Sequence, residues 1–285
     1  MAEHPVLLVC PACRRLEGGA LCVSTLQRAG HVLRCGCGRR FPVVDGIPIV
    51  LRELSEWAST EGASAMARAD LGAVVPELLL ADAASRRNRR LVEVYGQAPA
   101  SPLRAWLEHA VERAEGPVLE LGSGVGHRGS VRADLNFSLL RLRGEVPALV
   151  DHPRGAALAA GAAIVADAAD PPFLAGSFAT VVLANVLDSC RNPGLVLAQA
   201  DALVAPGGSL IVTCAYAFDD GITAEDHRFS EADLRGALAG EHPFGGYPIA
   251  CRISAPILDL DWVLQPGPRT THTHHVQVLR ATRPE

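Results

Sequence analysis

An α/β fold is what the sequence predicts: a mainly parallel sheet with helices on both faces, preceded by a small cysteine-rich module. Three observations carry this. From residue 101 onward, strand-like apolar runs alternate with helical stretches. One such run, Val118-Leu119-Glu120-Leu121, breaks into Gly122-Ser123-Gly124-Val125-Gly126, with glycines at alternate positions. Five of the eight cysteines fall within the first 37 residues, four of them as two close pairs.

The pairs are Cys10-Pro11-Ala12-Cys13 and Cys35-Gly36-Cys37. In a chain with no signal for secretion, two short cysteine turns read as a metal site rather than a disulfide framework. Zinc accepts four thiolates tetrahedrally, and a closed four-cysteine site stabilises a fold without doing chemistry. Cys10, Cys13, Cys35 and Cys37 are therefore the candidate ligands of a structural zinc ion, with Cys22 an alternative to one of them. Cys190, Cys214 and Cys251 lie in apolar or loop sequence and read as buried small hydrophobes.

Residues 1–52 form the first domain, 53–100 an alanine-rich helical linker or lid, and 101–285 the α/β domain. Ser101-Pro102 reads as an N-cap followed by proline at the first helical position, starting a helix that runs to about Ala114. Gly116-Pro117 ends it and launches the first strand. The second strand is short, Ser130-Val131-Arg132-Ala133, and is followed by Asp134. The third covers 162–166 and runs into Asp167; the fourth covers 179–184. Pro193 to Val204 has helical spacing. Pro206-Gly207-Gly208 precedes a fifth strand over 209–214. Ser230-Glu231-Ala232-Asp233 carries a capping signal for another helix. Strands near 247–254 and 275–281 are read as a terminal hairpin.

At 285 residues and 49% apolar composition, the chain can bury a sizeable core. No window reaches the roughly 18 uninterrupted apolar residues of a membrane span. The N-terminus has neither a basic n-region nor an apolar h-region, so a cytoplasmic location is expected. All 26 cationic side chains are arginine, which removes Schiff-base and lysine general-base chemistry. The net charge of −5 argues against broad nonspecific nucleic-acid binding. The charge is uneven: residues 1–52 hold seven arginines against Glu3, Glu17 and Asp45, and Arg86-Arg87-Asn88-Arg89-Arg90 is a second basic cluster. These are solvated faces or a docking surface for an acidic partner or RNA.

With its cysteines, the segment Phe41-Pro42-Val43-Val44-Asp45-Gly46-Ile47-Pro48 resembles the small zinc-ribbon family that includes activator subunits of tRNA and protein methyltransferases. The ordered segments from Val118 onward resemble class I S-adenosylmethionine-dependent methyltransferases. That resemblance implies a Rossmann-like, seven-stranded sheet and a set of cofactor residues. Gly122, Ser123, Gly124 and Gly126 would let backbone approach the cofactor closely. Glu120 would attract its ammonium, and Asp134 would accept the ribose hydroxyls. Asp167 and Ala168 would face the adenine, and Asn185 would look into the same crevice. Two departures stand out. The interval from Gly126 to Asp134 is too short for the usual helix, and Ala179 stands where the family often has aspartate.

Methyl transfer from a sulfonium is a direct displacement that needs alignment and, for some acceptors, a base. Asp188, Tyr216 and His227 are the candidate catalytic residues, since they follow the fourth and fifth strands. His127 and the Thr271-His272-Thr273-His274-His275 run supply further bases or substrate ligands. The expected acceptor is a small molecule, amino acid or peptide. An RNA methyltransferase that docks RNA through its arginine-rich ribbon ranks second. A degenerate domain that serves as a binding or scaffold subunit ranks third. The ribbon is also the natural surface for a protein partner.

Overall fold

The computed structural model describes residues 6–17, 20–30, 32–44, 46–53, 101–122, 131–134, 149–152, 155–158, 162–267 and 269–285. The linker from residue 54 to 100, and Ser123, Gly124, Gly126 and His127, lie outside the described residues. The elements run in order β1 (Val6–Leu7), β2 (Arg15–Glu17), β3 (Ala20–Cys22), β4 (Gln27–Ala29), β5 (Val32–Arg34), β6 (Arg40–Val44), β7 (Ile47–Pro48), α1 (Pro102–Glu112), β8 (Val118–Leu121) and β9 (Val131–Asp134). There follow β10 (Leu149–His152), β11 (Gly155–Leu158), β12 (Ala163–Val165), β13 (Phe178–Ala184), α2 (Pro193–Leu203), β14 (Val204–Cys214), α3 (Glu231–Ala239), β15 (Arg252–Ile253), β16 (Leu258–Gly267) and β17 (Thr270–Thr282). They fall into two compact units, described separately below.

The first unit joins the cysteine module to the strands between Asp134 and Phe173. β4 to β7 form an antiparallel meander closed over Leu26, Leu33, Phe41 and Ile47, all buried. The module does not stand apart from its neighbours in this unit. Ile49 bridges Val165 in parallel, and the Val50 amide donates to the Val165 carbonyl at 2.9 Å. Leu8 bridges Phe173, and β1 pairs with β11, which pairs with β10. Arg52 meets Asp170 at 2.7 Å, and Arg39 donates to the Arg52 carbonyl at 2.6 Å. Sheet hydrogen bonds thus continue from the ribbon onto β12, which itself pairs in parallel with β9. β10 and β11 have no counterpart in the reading of the sequence: Leu149–His152 is too short to show a period.

In the second unit, β8, β13 and β14 are parallel, and β17 runs antiparallel to β14. β15 and β16 also pair with β17. α1 starts as expected, with the Ser101 hydroxyl accepting from the Arg104 amide and Pro102 in the first turn. Its Leu103, Leu107 and Val111 recur every four residues and pack on Val182, Ile211, Val276 and Val278. Val276 and Val278, alternate residues of β17, share that face, which is the period-2 rule of a strand. α2 packs on β13 and β14. The Pro206-Gly207-Gly208 signal has a plain cause. A Cβ on Gly208 would lie 2.8 Å from the Ala179 carbonyl oxygen, so only glycine lets β14 run this close to β13.

The terminal hairpin differs from the one expected. It is built from β16 and β17, and only Arg252–Ile253 of the 247–254 segment is strand. Leu258, Leu260 and Trp262 alternate with Asp259 and Asp261, the period of a half-buried strand, and those three pack against the core. Buried Asp201 then explains the irregular lead into β15. It accepts from the Ala250 amide at 3.1 Å and the Cys251 amide at 2.7 Å, and Arg283 lies 3.4 Å from it.

Candidate active site and zinc site

The cysteine cluster comes together as its spacing requires. The sulfurs of Cys10, Cys13, Cys35 and Cys37 lie within 4.8 Å of one another. Cys10 and Cys37 are 3.9 Å apart, and Cys13 and Cys35 3.6 Å. A tetrahedron with zinc–sulfur bonds of about 2.3 Å has edges of about 3.8 Å, so the four thiols fit that ion. Burial raises the Cys10 thiol to about 12, while the Arg39 amide is the chief cause lowering Cys37 to about 7. Cys22, the alternative ligand, ends β3, and its side chain lies outside those described.

The expected cofactor residues divide between the units. The backbone of Asp134 ends β9 in the first, where Val165 pairs with it, and Asp167 follows two residues later on β12's carboxyl side. One Asp167 oxygen accepts from the Ala169 amide at 2.9 Å, and the side chain is exposed. The second unit holds Glu120, Gly122 and Asn185. Glu120 is 2% exposed at the end of β8. Gly122 has φ +62°, and a Cβ there would lie 2.7 Å from Val186 Cγ2, so this turn admits no side chain.

Two non-glycine residues adopt left-handed backbone among those described: Asn185 at φ 53° and Tyr216 at φ 55°. They sit just past the carboxyl ends of adjacent parallel strands, β13 and β14. Such conformations cluster where surrounding structure over-determines them. For Asn185 the cause is Thr213, which is fully buried. The Thr213 hydroxyl donates to Asn185 Oδ1 at 2.9 Å, and both its hydroxyl and its carbonyl receive the Asn185 amide. Tyr216 donates its hydroxyl to Gln277 Oε1 at 2.6 Å. Burial, followed by the neighbouring Cys214, pushes its phenol well above its ordinary range, so Tyr216 stays neutral.

Asp188 is buried in a 3-10 turn at Leu187–Ser189, and its Oδ2 accepts from the Ala217 amide at 3.2 Å. It thus ties the turn after β13 to the segment that carries Tyr216. His227 lies apart from that pair. Its Nδ1 is 2.8 Å from the Arg191 carbonyl, and its ring lines a cavity of about 580 Å³. Phe229 and Phe244, 4.9 Å apart and edge to face, line the same cavity. Phe229 also meets Tyr216 at 5.7 Å, linking the cavity to the strand ends.

The histidine run lies where β17 outruns β14. Cys214 pairs with Gln277, so residues 270–276 pair only with β16. His275 meets Asp261 at 2.7 Å, and His274 stacks against Trp262. Thr213 and Gln277 escaped the reading of the sequence. Each is a single polar residue inside an apolar strand run, and that was the signal available.

Residues 119–212 match the methyltransferase-domain family. These residues carry a methyltransferase domain. Members of that family use S-adenosylmethionine as methyl donor. No curated protein matches the sequence. Among solved structures, an S-adenosylmethionine-dependent methyltransferase from Methanosarcina mazei is similar, at 16% identity and a TM-score of 0.42, over 62% of this chain and 97% of that one. A methyltransferase from Bacillus halodurans matches at 14% identity and 0.41, over 65% and 99%. A complex of the Haloferax volcanii Trm112 methyltransferase activator with a methyltransferase matches at 12% and 0.39, over 63% and 88%. No helix of the methyltransferase among the described residues is long and apolar enough to cross a membrane.

Proposed function

We propose that this methyltransferase passes the methyl group of S-adenosylmethionine to a small molecule, amino acid or peptide by direct displacement. One observation carries the reading. The carboxyl ends of β13 and β14 hold Asn185 and Tyr216 in left-handed conformations, and Phe229 connects that edge to a cavity of small-molecule size. Ligands of open α/β sheets sit outside the carboxyl ends of the strands, and clefts of several hundred Å³ suit small molecules.

The cofactor set is Glu120, Gly122, Ser123, Gly124, Gly126, Asp134, Asp167, Ala168 and Asn185, and the bound sulfonium supplies an activated methyl group. Gly122 keeps the turn after β8 free of side chain, and Thr213 fixes the direction of Asn185. On the acceptor side stand Asp188, Tyr216 and His227. Asp188 holds the post-β14 segment in place through Ala217. Tyr216, a neutral phenol already donating to Gln277, has only its oxygen lone pairs to offer a ligand. His227, whose Nδ1 faces a carbonyl, keeps Nε2 to receive a proton.

Zinc on Cys10, Cys13, Cys35 and Cys37 has a structural role in this reading. The domains are the ribbon, 1–52, the helical linker or lid, 53–100, and the methyltransferase domain, 101–285. An RNA acceptor ranks lower for two reasons. The net charge is −5, and the ribbon's Arg14, Arg39 and Arg52 make hydrogen bonds within their own unit. The test is calorimetric titration of the zinc-loaded chain with S-adenosylmethionine and S-adenosylhomocysteine, beside Asp134→Ala. Micromolar binding that the variant loses supports the reading. Absence of binding by folded wild type overturns it and leaves a scaffold role.

A further inference from the structure

The cavity beside α2 and α3 is lined by two histidines, His227 and His242, and two aspartates, Asp226 and Asp233. His227 Nδ1 lies 2.8 Å from the Arg191 carbonyl, and His242 Nδ1 lies 3.1 Å from the Pro243 carbonyl. A carbonyl oxygen only accepts, so each Nδ1 carries a hydrogen; Nε2 of His227 is left to face a ligand, whereas Nε2 of His242 lies against Gly236 of α3. Asp226 adds an exposed carboxylate on the same wall. The arginine on the lining is already engaged. Arg228 is bound to Asp220 and to the Thr223 carbonyl, and its guanidinium lies 5.9 Å from the Phe218 ring centre. At the N-terminus of α2, Pro193 has no amide hydrogen and Asn192 caps the Leu195 amide. That of α3 is closed by its own capping box, with Asp233 bonded to Ser230. Those bonds hold the Asp233 carboxyl below its usual range, so a second negative charge lines the cavity.

The apolar part of the lining is aromatic. Phe229 and Phe244 meet edge to face at 4.9 Å, and Tyr247 lies beside them. Ring faces are electron-rich and attract cations as well as other rings. Glycine at residue 236 leaves room for the His242 imidazole against α3. A Cβ there would come within 2.5 Å of the imidazole Nε2, although glycine inside a helix costs about 1 kcal/mol.

We infer that this cavity binds an arylalkylamine. The aromatic group packs on Phe229, Phe244 and Tyr247, and the ammonium donates to Asp226 and to Nε2 of His227. The inference rests on the methyltransferase reading in taking this ligand as the acceptor. The ligand's ammonium would first give a proton to His227 Nε2, so that the freed lone pair could form the N–C bond as the sulfonium C–S bond breaks. The cavity chemistry is tested without turnover. The probes are tryptamine and indole-3-propionate, which share a ring system and differ in the sign of the charge. Each is titrated into the full zinc-loaded chain, with and without S-adenosylhomocysteine, and into Asp226→Asn and His227→Ala.

Tryptamine should bind, and indole-3-propionate should bind at least about fivefold more weakly. Asp226→Asn should weaken tryptamine roughly two- to fivefold, as an exposed charge pair does. His227→Ala should weaken it roughly two- to tenfold, the effect of one hydrogen bond. Both residues are exposed, so the variants should unfold with the wild type. Equal binding of the two probes, or tryptamine binding that neither variant changes, overturns the inference. So does no tryptamine binding by protein that binds S-adenosylhomocysteine, and that result leaves the methyltransferase reading standing. Tryptamine binding without any S-adenosylhomocysteine binding supports the cavity chemistry and overturns the methyltransferase reading instead.

Discussion

Replacing Thr213 with valine removes a single oxygen from the end of β14 while keeping the shape of the side chain. That oxygen donates to Asn185 Oδ1 at 2.9 Å and accepts from the Asn185 amide at 3.1 Å. The amide keeps its 3.0 Å bond to the Thr213 carbonyl, so the side-chain oxygen of Asn185 takes most of the loss. Two hydrogen bonds at about 0.5–1.5 kcal/mol each predict a destabilisation of about 1–3 kcal/mol. The left-handed backbone at Asn185, φ 53°, then loses its support. If the bound conformation falls to a tenth of the population, apparent cofactor affinity falls about tenfold. Urea unfolding reads the first effect and calorimetry with S-adenosylhomocysteine the second. Thr213→Ser retains the hydroxyl and should restore most of both. The reasoning is refuted if valine leaves stability within about 0.5 kcal/mol of wild type, the usual scatter of neutral substitutions, and cofactor affinity unchanged.

Gly122→Ala should abolish measurable S-adenosylhomocysteine binding while leaving zinc content intact, because a Cβ meets Val186 at 2.7 Å at a positive φ; calorimetry and metal analysis check the two halves. Chelating zinc should unfold the ribbon first, and restoring free zinc to a thousandfold above its Kd should return about 4 kcal/mol of stability; calorimetric scans against free zinc measure it. Asp201→Ala strips the Ala250 and Cys251 amides of their buried acceptor and removes the partner of Arg283, and a loss of about 3–5 kcal/mol is expected in denaturant titrations. Asp233, held below its usual range by Ser230, contributes capping stability that is present above the unfolded aspartate value and is lost as pH falls through the lower folded one. The Asp233→Asn variant should therefore show a flatter acid limb than wild type when stability is followed by circular dichroism.

Much of this protein was legible before any coordinates, because the relevant signals are local. Ser101-Pro102 and the Ser230–Asp233 box sit where helix termini leave amides unpaired, and both caps form. Two cysteine turns can deliver four sulfurs to one point, and they do so. Glycines at 122 and 208 marked backbone that tolerates no Cβ. The strands β12, β13 and β14 followed from their apolar runs, as parallel strands buried on both faces must. Other features depended on residues far apart in the chain. Strand β16 shows the period-2 alternation Leu258-Asp259-Leu260-Asp261-Trp262, but its pairing with β17 is set only by folding. The bridge from Ile49 to Val165 joins residues 116 positions apart, and short strands such as β10 and β11 have no period to betray them. The roles of Thr213, Gln277 and the two imidazoles beside the cavity were likewise invisible: a hydroxyl, an amide or a ring nitrogen acquires its hydrogen-bonding sense only from the partner that folding brings to it. The sequence by itself therefore determined the elements and the chemical inventory, since these depend on neighbours a few residues away. Tertiary structure alone decided which polar atoms are already engaged and which remain for a ligand.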